Sequence, residues 1–176
     1  MSTANQAGLA NVHNQRGMDL LATDAEAAVQ ELRAALELAP ARPDLYRNLA
    51  VASARAGRRD EAVAALRRAA TLKSDDPFVR AELARNLAAQ GRHEEALQEW
   101  QAVLGITGPH SEAQLGLARL YTELGRWREA ARAWRRFLAL NPRNAVARQA
   151  LADVLSKLDS GKPRLRLPPI SRMPKL

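Results

Sequence analysis

The sequence contains no cysteine. This absence excludes disulfide bonds, zinc sites built from thiolates and thiol nucleophiles. Aromatic residues make up only 4% of a chain that is 47% hydrophobic, so small and aliphatic side chains must fill the core. No apolar run approaches the roughly 20 residues that cross a membrane as a helix. Residues 1–17 also lack the basic start and apolar run of a secretory signal, so we expect a cytoplasmic protein.

Sequence patterns typical of catalysis or metal binding are also missing. The three histidines, His13, His93 and His110, are far apart and show no ligand spacing such as H-E-x-x-H. The stretch GITGP at residues 105–109 is not followed by the lysine that a phosphate-binding loop requires. We therefore predict that the chain is not an enzyme and that it binds neither a cofactor nor a metal.

What the sequence does contain is an internal repeat. The segment LGRWREA at residues 124–130 has counterparts in AGRRDEA at residues 56–62 and QGRHEEA at residues 90–96, each 34 residues from the next. A fixed period between 20 and 50 residues is the signature of a repeat architecture. The same period governs a Leu-Ala pair, which occurs at residues 49–50, 83–84, 117–118 and 151–152.

Each unit has the pattern of two helices joined by a short turn. In the unit that starts near residue 43, Leu45, Leu49 and Ala52 recur at helical spacing and form one apolar face. Gly57 falls where this helix must end, because glycine adopts the left-handed conformation without strain. A second helix then opens at Asp60, whose charge suits the positive end of the helix dipole.

These features resemble the tetratricopeptide repeat (TPR), a 34-residue helix-turn-helix unit with aromatic, leucine, small, glycine and proline residues at set positions. Val103 and Phe137 depart from the resemblance, because they stand where the family prefers alanine. The unit at 111–144 matches the family through Leu117, Ala118, Tyr121, Trp127, Ala130, Trp134 and Pro142.

The resemblance implies an all-α fold, a right-handed superhelical solenoid of helix-turn-helix repeats with a C-terminal capping helix. We expect a disordered N-terminus at residues 1–9 and a TPR domain over residues 10–158. The basic, proline-rich tail at residues 159–176 is either a disordered end or a segment that docks on a partner. The expected units are a degenerate repeat at about 10–42, repeats at 43–76, 77–110 and 111–144, and the capping helix at 145–158.

The first helices of such units line a concave groove, where members of the family commonly bind a peptide or helix of a partner. Arg47, Arg85 and Arg119 are candidate contacts for a carboxylate, because a guanidinium fork matches its two oxygens. Phe78 is apolar at a position expected to be exposed, so it either forms a groove pocket or is covered by the neighbouring repeat. The groove positions that the resemblance implies are Asp44, Arg47, Asn48, Val51, Arg55, Phe78, Glu82, Arg85, Glu112, Arg119, Glu123, Gln149 and Asp153.

One subclass of the family holds the C-terminal carboxylate of heat-shock chaperones with lysine, arginine and asparagine side chains. Counted from the second unit, the corresponding residues here are Arg47, Val51, Glu82, Glu112 and Gly116. Only the first of these is basic, so we do not expect a chaperone cofactor of that kind.

The net charge of +8 permits a second interpretation. Residues 1–40 have two basic and five acidic side chains, residues 41–158 have 20 and 13, and residues 159–176 have five and one. Basicity therefore lies in the repeats and the tail, where it indicates either a solvated surface or a site for an acidic protein, a nucleic acid or a membrane surface. The candidate basic residues are Arg58, Arg92, Arg126, Arg135, Arg136, Arg164 and Arg166.

The function that these patterns favour is a non-catalytic adaptor or scaffold that binds a protein or peptide partner through the groove. Two alternatives stay open: a basic scaffold for an acidic protein or nucleic acid, and a regulatory subunit of a separate enzyme. Nucleic acid is the less favoured partner, because Trp100 and Trp134 fall at core positions where they cannot stack on bases. Copies of the chain could associate into a homo-oligomer through the ends of the solenoid or through the tail. No membrane span is expected.

Overall fold

The computed structural model describes residues 3–160, and this part of the chain is entirely helical apart from short turns. No helix within it is long and apolar enough to cross a membrane. Its nine helices are α1 (Thr3–Leu20), α2 (Ala25–Leu38), α3 (Pro43–Arg55), α4 (Arg59–Leu72), α5 (Pro77–Ala89), α6 (His93–Thr107), α7 (Ser111–Glu123), α8 (Trp127–Leu140) and α9 (Ala145–Ser160).

Consecutive helices pack in pairs, and each pair packs on the next. The contacts are most extensive within α1–α2, α3–α4, α5–α6 and α7–α8, while α9 packs on α8. The first helices of neighbouring pairs also touch, α1 against α3 and α5 against α7, and the second helices approach each other less. The first helices therefore line the inner, concave side of the stack. The predicted all-α solenoid of helix pairs is confirmed.

The turn within a pair depends on glycine. Gly57, Gly91 and Gly125 have φ angles of 76°, 74° and 67°, in the left-handed region that other residues rarely adopt. In each turn the next N–H reaches back to close the end of the first helix, as Arg58 N donates to Ser53 O at 2.8 Å. This pattern satisfies carbonyl groups that the helix end would leave unpaired.

Alanines make the helix pairs close. Ala62, Ala96 and Ala130 on the second helices have no exposed surface, and their first-helix counterparts Ala50, Ala84 and Ala118 are equally buried. The sequence pattern placed Ala152 in the same column, but Ala152 is exposed on α9. The difference has a simple cause, since no described helix follows α9 to cover it.

The two ends of the fold differ from the sequence-based boundaries. The sequence predicts a disordered segment at residues 1–9, but α1 begins at Thr3 and runs for 18 residues. Once a helix is nucleated by packed residues such as Ala10 and Gly17, adding good helix formers such as Ala4 costs little. At the other end α9 continues to Ser160, and the rest of the tail, including Arg164 and Arg166, lies outside the described residues.

Candidate partner-binding groove

A pocket of about 330 Å³ opens on the concave side between α5 and α7. Four residues that the sequence assigned to the groove lie around it, namely Arg85 from α5 and Glu112, Arg119 and Glu123 from α7. The pocket is the place where the structure brings predicted groove residues together. Its apolar lining is formed by Ala88, Trp100, Leu115, Gly116 and Leu120.

The floor of this pocket is the indole of Trp100, which is 3% exposed. A Cβ built at Gly116 would come within 2.5 Å of Trp100 Nε1, so only glycine at 116 leaves room for the ring. In the next pair, Trp134 Nε1 donates to Thr122 Oγ1 at 3.1 Å. The residue 34 positions before Thr122 is Ala88, which has no acceptor. Within the described part of the chain, the N–H of Trp100 consequently has no hydrogen-bond partner.

The charged residues at the rim are not equivalent. Arg85 forms ion pairs with Glu112 and with Glu82, the latter at 3.3 Å. Arg119 is exposed and makes no hydrogen bond or ion pair with any described residue. The free cation at the pocket is therefore Arg119, and Arg85 is already neutralised by its own neighbours.

Farther along the groove, several predicted residues hold adjacent pairs together. Asn48 Nδ2 donates to Asn14 Oδ1 at 2.8 Å, and Arg55 Nη1 donates to Leu21 O at 3.1 Å. Val51 is partly buried against the core. Asn48 and Arg55 therefore join α3 to the preceding pair, whereas Arg47 beside them is exposed and unpaired among residues 3–160.

The remaining predicted groove residues lie away from the pocket. Phe78 is 72% exposed at the start of α5, so the neighbouring repeat does not cover it. Gln149 Nε2 donates to Asp153 Oδ1 at 2.9 Å within α9. A hydrogen bond from Arg42 holds the pKa of Asp44 below its usual value, so this carboxylate is ionised and paired.

Each arginine at a turn forms an ion pair, and two of the three, Arg58 and Arg126, reach a glutamate of the preceding helix pair. Arg126 contacts Glu129 at 3.0 Å and Glu94 of the preceding pair at 3.3 Å, and its guanidinium lies 4.8 Å from the ring centre of Tyr121. Hydrogen bonds from its own backbone N–H and from Arg126 hold the pKa of Glu129 below its usual value. The equivalent arginines are Arg58, which pairs with Glu26 and Glu61, and Arg92, which pairs with Glu95.

The sequence alone does not predict that Trp100 and Gly116 form the floor of the pocket. The 34-residue pattern places Trp100 in the core, and it presents Gly116 only as a non-basic position of the chaperone-binding subclass. A signal was present in the repeat itself, because the residues 34 and 68 positions before Gly116 are Glu82 and Asn48. A glycine in a column of larger side chains indicates that another residue fills its space.

Comparisons with known proteins agree with this architecture. Two models described as tetratricopeptide repeat match the chain, one at residues 87–136 and the other at residues 21–77 and 115–158. The second model alone accounts for more than half of the chain. A comparison with curated proteins found no match.

Solved structures share the fold at low sequence identity. A tetratricopeptide repeat protein from Parabacteroides merdae has a TM-score of 0.80 at 22% identity, covering 87% of this chain and 61% of that one. A MamA protein gives 0.74 at 15% identity, covering 89% and 82%. The structure titled pilF from Pseudomonas aeruginosa gives 0.70 at 23% identity, covering 89% and 72%. With the repeat models matching most of residues 21–158 and the helices following a 34-residue period, the chain belongs to the tetratricopeptide repeat family.

Proposed function

We propose that the chain is a non-catalytic adaptor that binds a peptide segment of a partner protein in the concave groove between α5 and α7. Tetratricopeptide repeats are protein-interaction modules, and stacked repeats offer an extended concave surface for this purpose. The proposal keeps the cytoplasmic location expected from the sequence, which fractionation of native cells would test.

One observation carries the choice of site. Trp100 Nε1 and the Arg119 guanidinium are both donors without protein acceptors among residues 3–160, and both line the same pocket. The Trp100 N–H opens into a pocket with a largely apolar lining, so a ligand that brings an acceptor gains a hydrogen bond together with apolar contact. A carbonyl or carboxylate oxygen of a bound peptide supplies that acceptor, and the exposed edge of Leu115 contributes apolar contact.

The test is recovery of partners from native cells with a tagged full-length chain. We would compare the wild type with Arg119→Glu at the pocket and Arg128→Glu, an exposed residue on the outer helix α8. A partner that is lost with Arg119→Glu and kept with Arg128→Glu supports the groove. If both variants recover the partner as well as the wild type does, the partner binds outside this pocket.

A second comparison probes the indole directly. Trp100→Phe removes the N–H and keeps an aromatic ring on the floor, so it should weaken the partner that Arg119→Glu loses. Trp134→Phe is the matched control, because that N–H is already used by Thr122. Equal effects of the two substitutions would indicate a general loss of stability instead of a lost contact.

A further inference from the structure

A second groove lies on the outer side of the solenoid, between α6 and α8. It consists of two cavities of about 470 and 200 Å³ that share Leu104, Gln114 and Arg136 in their linings. The larger cavity is mostly apolar and also contacts Pro109 and Leu140. Leu140 is 43% exposed at its edge, so apolar surface is open to a partner here.

Gln114 is a buried polar residue with no partner. Its side chain is part of both cavities, the residue is 5% exposed, and its Oε1 has no donor within the described chain. Its Nε2 also makes no hydrogen bond there. Buried polar groups are nearly always paired in folded proteins, so a free carboxamide at a cavity indicates a group that something else satisfies.

In the equivalent groove between α4 and α6, the polar side chain at the corresponding position has a hydrogen-bond partner. There, Arg80 occupies the position of Gln114, 34 residues earlier, and donates to Glu99 at 2.9 Å. The residue that corresponds to Glu99 in the α6–α8 groove is Ala133. In the earlier groove the two polar side chains therefore satisfy each other beside a cavity of about 490 Å³, whereas the later groove has neither member of that pair.

The rim of the α6–α8 groove is positively charged. Arg132 and Arg136 line it four residues apart, which places them on the same face of α8. Neither makes a hydrogen bond or an ion pair with residues 3–160. The nearby carboxylate, Glu129, is already held by Arg126.

From these features we infer that the α6–α8 groove binds an acidic linear segment of a partner protein that carries an aliphatic residue. The aliphatic side chain lies over Leu104 and Leu140, a backbone peptide group pairs with the Gln114 carboxamide, and acidic side chains pair with Arg132 and Arg136. A carboxamide matches a peptide group because each has one carbonyl and an N–H donor. The surface is separate from the concave groove and does not depend on it.

Charge argues against the other occupants. The chain's own residues 161–176 contain five basic and no acidic side chains, so they would be repelled by the arginine rim. Nucleic acid would find phosphate contacts, but the aromatic ring in the groove's lining, Tyr121, is 9% exposed and lies against the Arg126 guanidinium, so a base has little ring surface on which to stack.

The experiment is a selection of random 12-residue displayed peptides on the full-length chain, followed by affinity measurement with synthetic copies of the enriched peptides. We expect enriched sequences in which Asp or Glu flanks Leu, Ile or Val. Arg136→Glu should lower the affinity of the chain for these peptides about tenfold or more. The matched control is Arg135→Glu, the same charge change on the next residue outside the cavities, which should change the affinity less than about twofold.

Two further measurements separate recognition from folding and from the concave groove. Gln114→Leu should weaken binding of the peptides, and its melting temperature should equal or exceed that of the wild type. In NMR spectra of the wild type, the side-chain amide signal of Gln114 should shift when peptide is added. Arg119→Glu should leave the affinity unaltered.

Other results would overturn the inference. These are an absence of enriched peptides, enriched peptides without acidic residues, or equal losses in Arg135→Glu and Arg136→Glu. Self-association that Arg136→Glu abolishes would assign the groove to a second copy of the chain. Binding of a single-stranded 12-nucleotide DNA that competes with the peptides would assign it to nucleic acid.

Discussion

Trp100 occupies the space that a side chain at Gly116 would fill. A Cβ at that position would lie 2.5 Å from Trp100 Nε1, and the two residues come from different repeats. This fit between α6 and α7 shapes the floor of the concave pocket, so a change at either residue alters the pocket and the packing of two repeats together.

Gly116→Ala should therefore destabilise the protein by about 1–3 kcal/mol, because overpacking forces the indole or the backbone to move. The free energy of unfolding from urea titration measures this. Gly105→Ala is the matched control: Gly105 is also helical, nothing lies within 4 Å of an added Cβ, and the substitution should stabilise α6 by about 0.5–1 kcal/mol. If both substitutions lower the free energy of unfolding, the loss arises from the helix backbone and not from contact with Trp100.

The turn glycines give a second prediction. Gly91→Ala should cost about 1–2 kcal/mol, since Gly91 has a φ of 74° and an L-residue is strained there even though the added Cβ meets no atom within 4 Å. Gly91→Asn should cost less, because asparagine tolerates the left-handed region better. Thermal unfolding of the three proteins tests this order, and equal stability of Gly91→Ala and wild type would contradict it.

The buried side-chain amide of Gln114 gives a third prediction. Gln114→Leu should raise the free energy of unfolding by about 1 kcal/mol, because it removes a buried acceptor that no described residue satisfies. Gln98→Leu, at an exposed position of α6, should stay within about 0.5 kcal/mol of wild type. Loss of stability in Gln114→Leu would mean that a water molecule pairs with the amide in solution.

The start of α5 gives a prediction about pH. Asp76 is the helix cap and accepts hydrogen bonds from Phe78 N at 3.0 Å and Val79 N at 3.3 Å. Burial raises the pKa of Asp76, but the bond from Val79 and the pairing with Lys73 outweigh it, so the pKa lies below its usual value. A lowered pKa adds stability that is present above the unfolded-state value of about 4 and is lost as the pH falls through the lower folded-state value.

Asp76→Ala should consequently cost about 0.5–2 kcal/mol at pH 7, and the difference from wild type should shrink below about pH 4. Asp75→Ala is the control, because the neighbouring Asp75 is exposed and does not cap the helix. Urea unfolding at pH 7 and pH 3 gives the comparison. A difference that grows in acid would show that the native structure favours the protonated carboxyl.

The repeat unit and its helix boundaries follow from the sequence because they depend on local signals. Gly57, Gly91 and Gly125 fall at the turns, and Pro77 begins α5, since backbone geometry permits few residues at these places. These signals recur at the same spacing, so each copy supports the assignment of the others.

Contacts between repeats were less predictable. The pairing of Arg126 with Glu94, the fit of Trp100 to Gly116 and the isolation of Gln114 depend on which side chains meet across neighbouring pairs. Such contacts leave no fixed spacing in the sequence, because a partner lies wherever the stacking places it. The same reason explains why Arg58 and Arg92, chosen for their charge, are found in ion pairs.

Ala152 shows how this chain could be lengthened. It retains the small side chain that in Ala50, Ala84 and Ala118 receives a second helix, yet it faces solvent. A helix packed on α9 as α4, α6 and α8 pack on their partners would bury Ala152 in the same way. Addition of a repeat unit after α9 would therefore reuse a packing contact that the chain already contains three times.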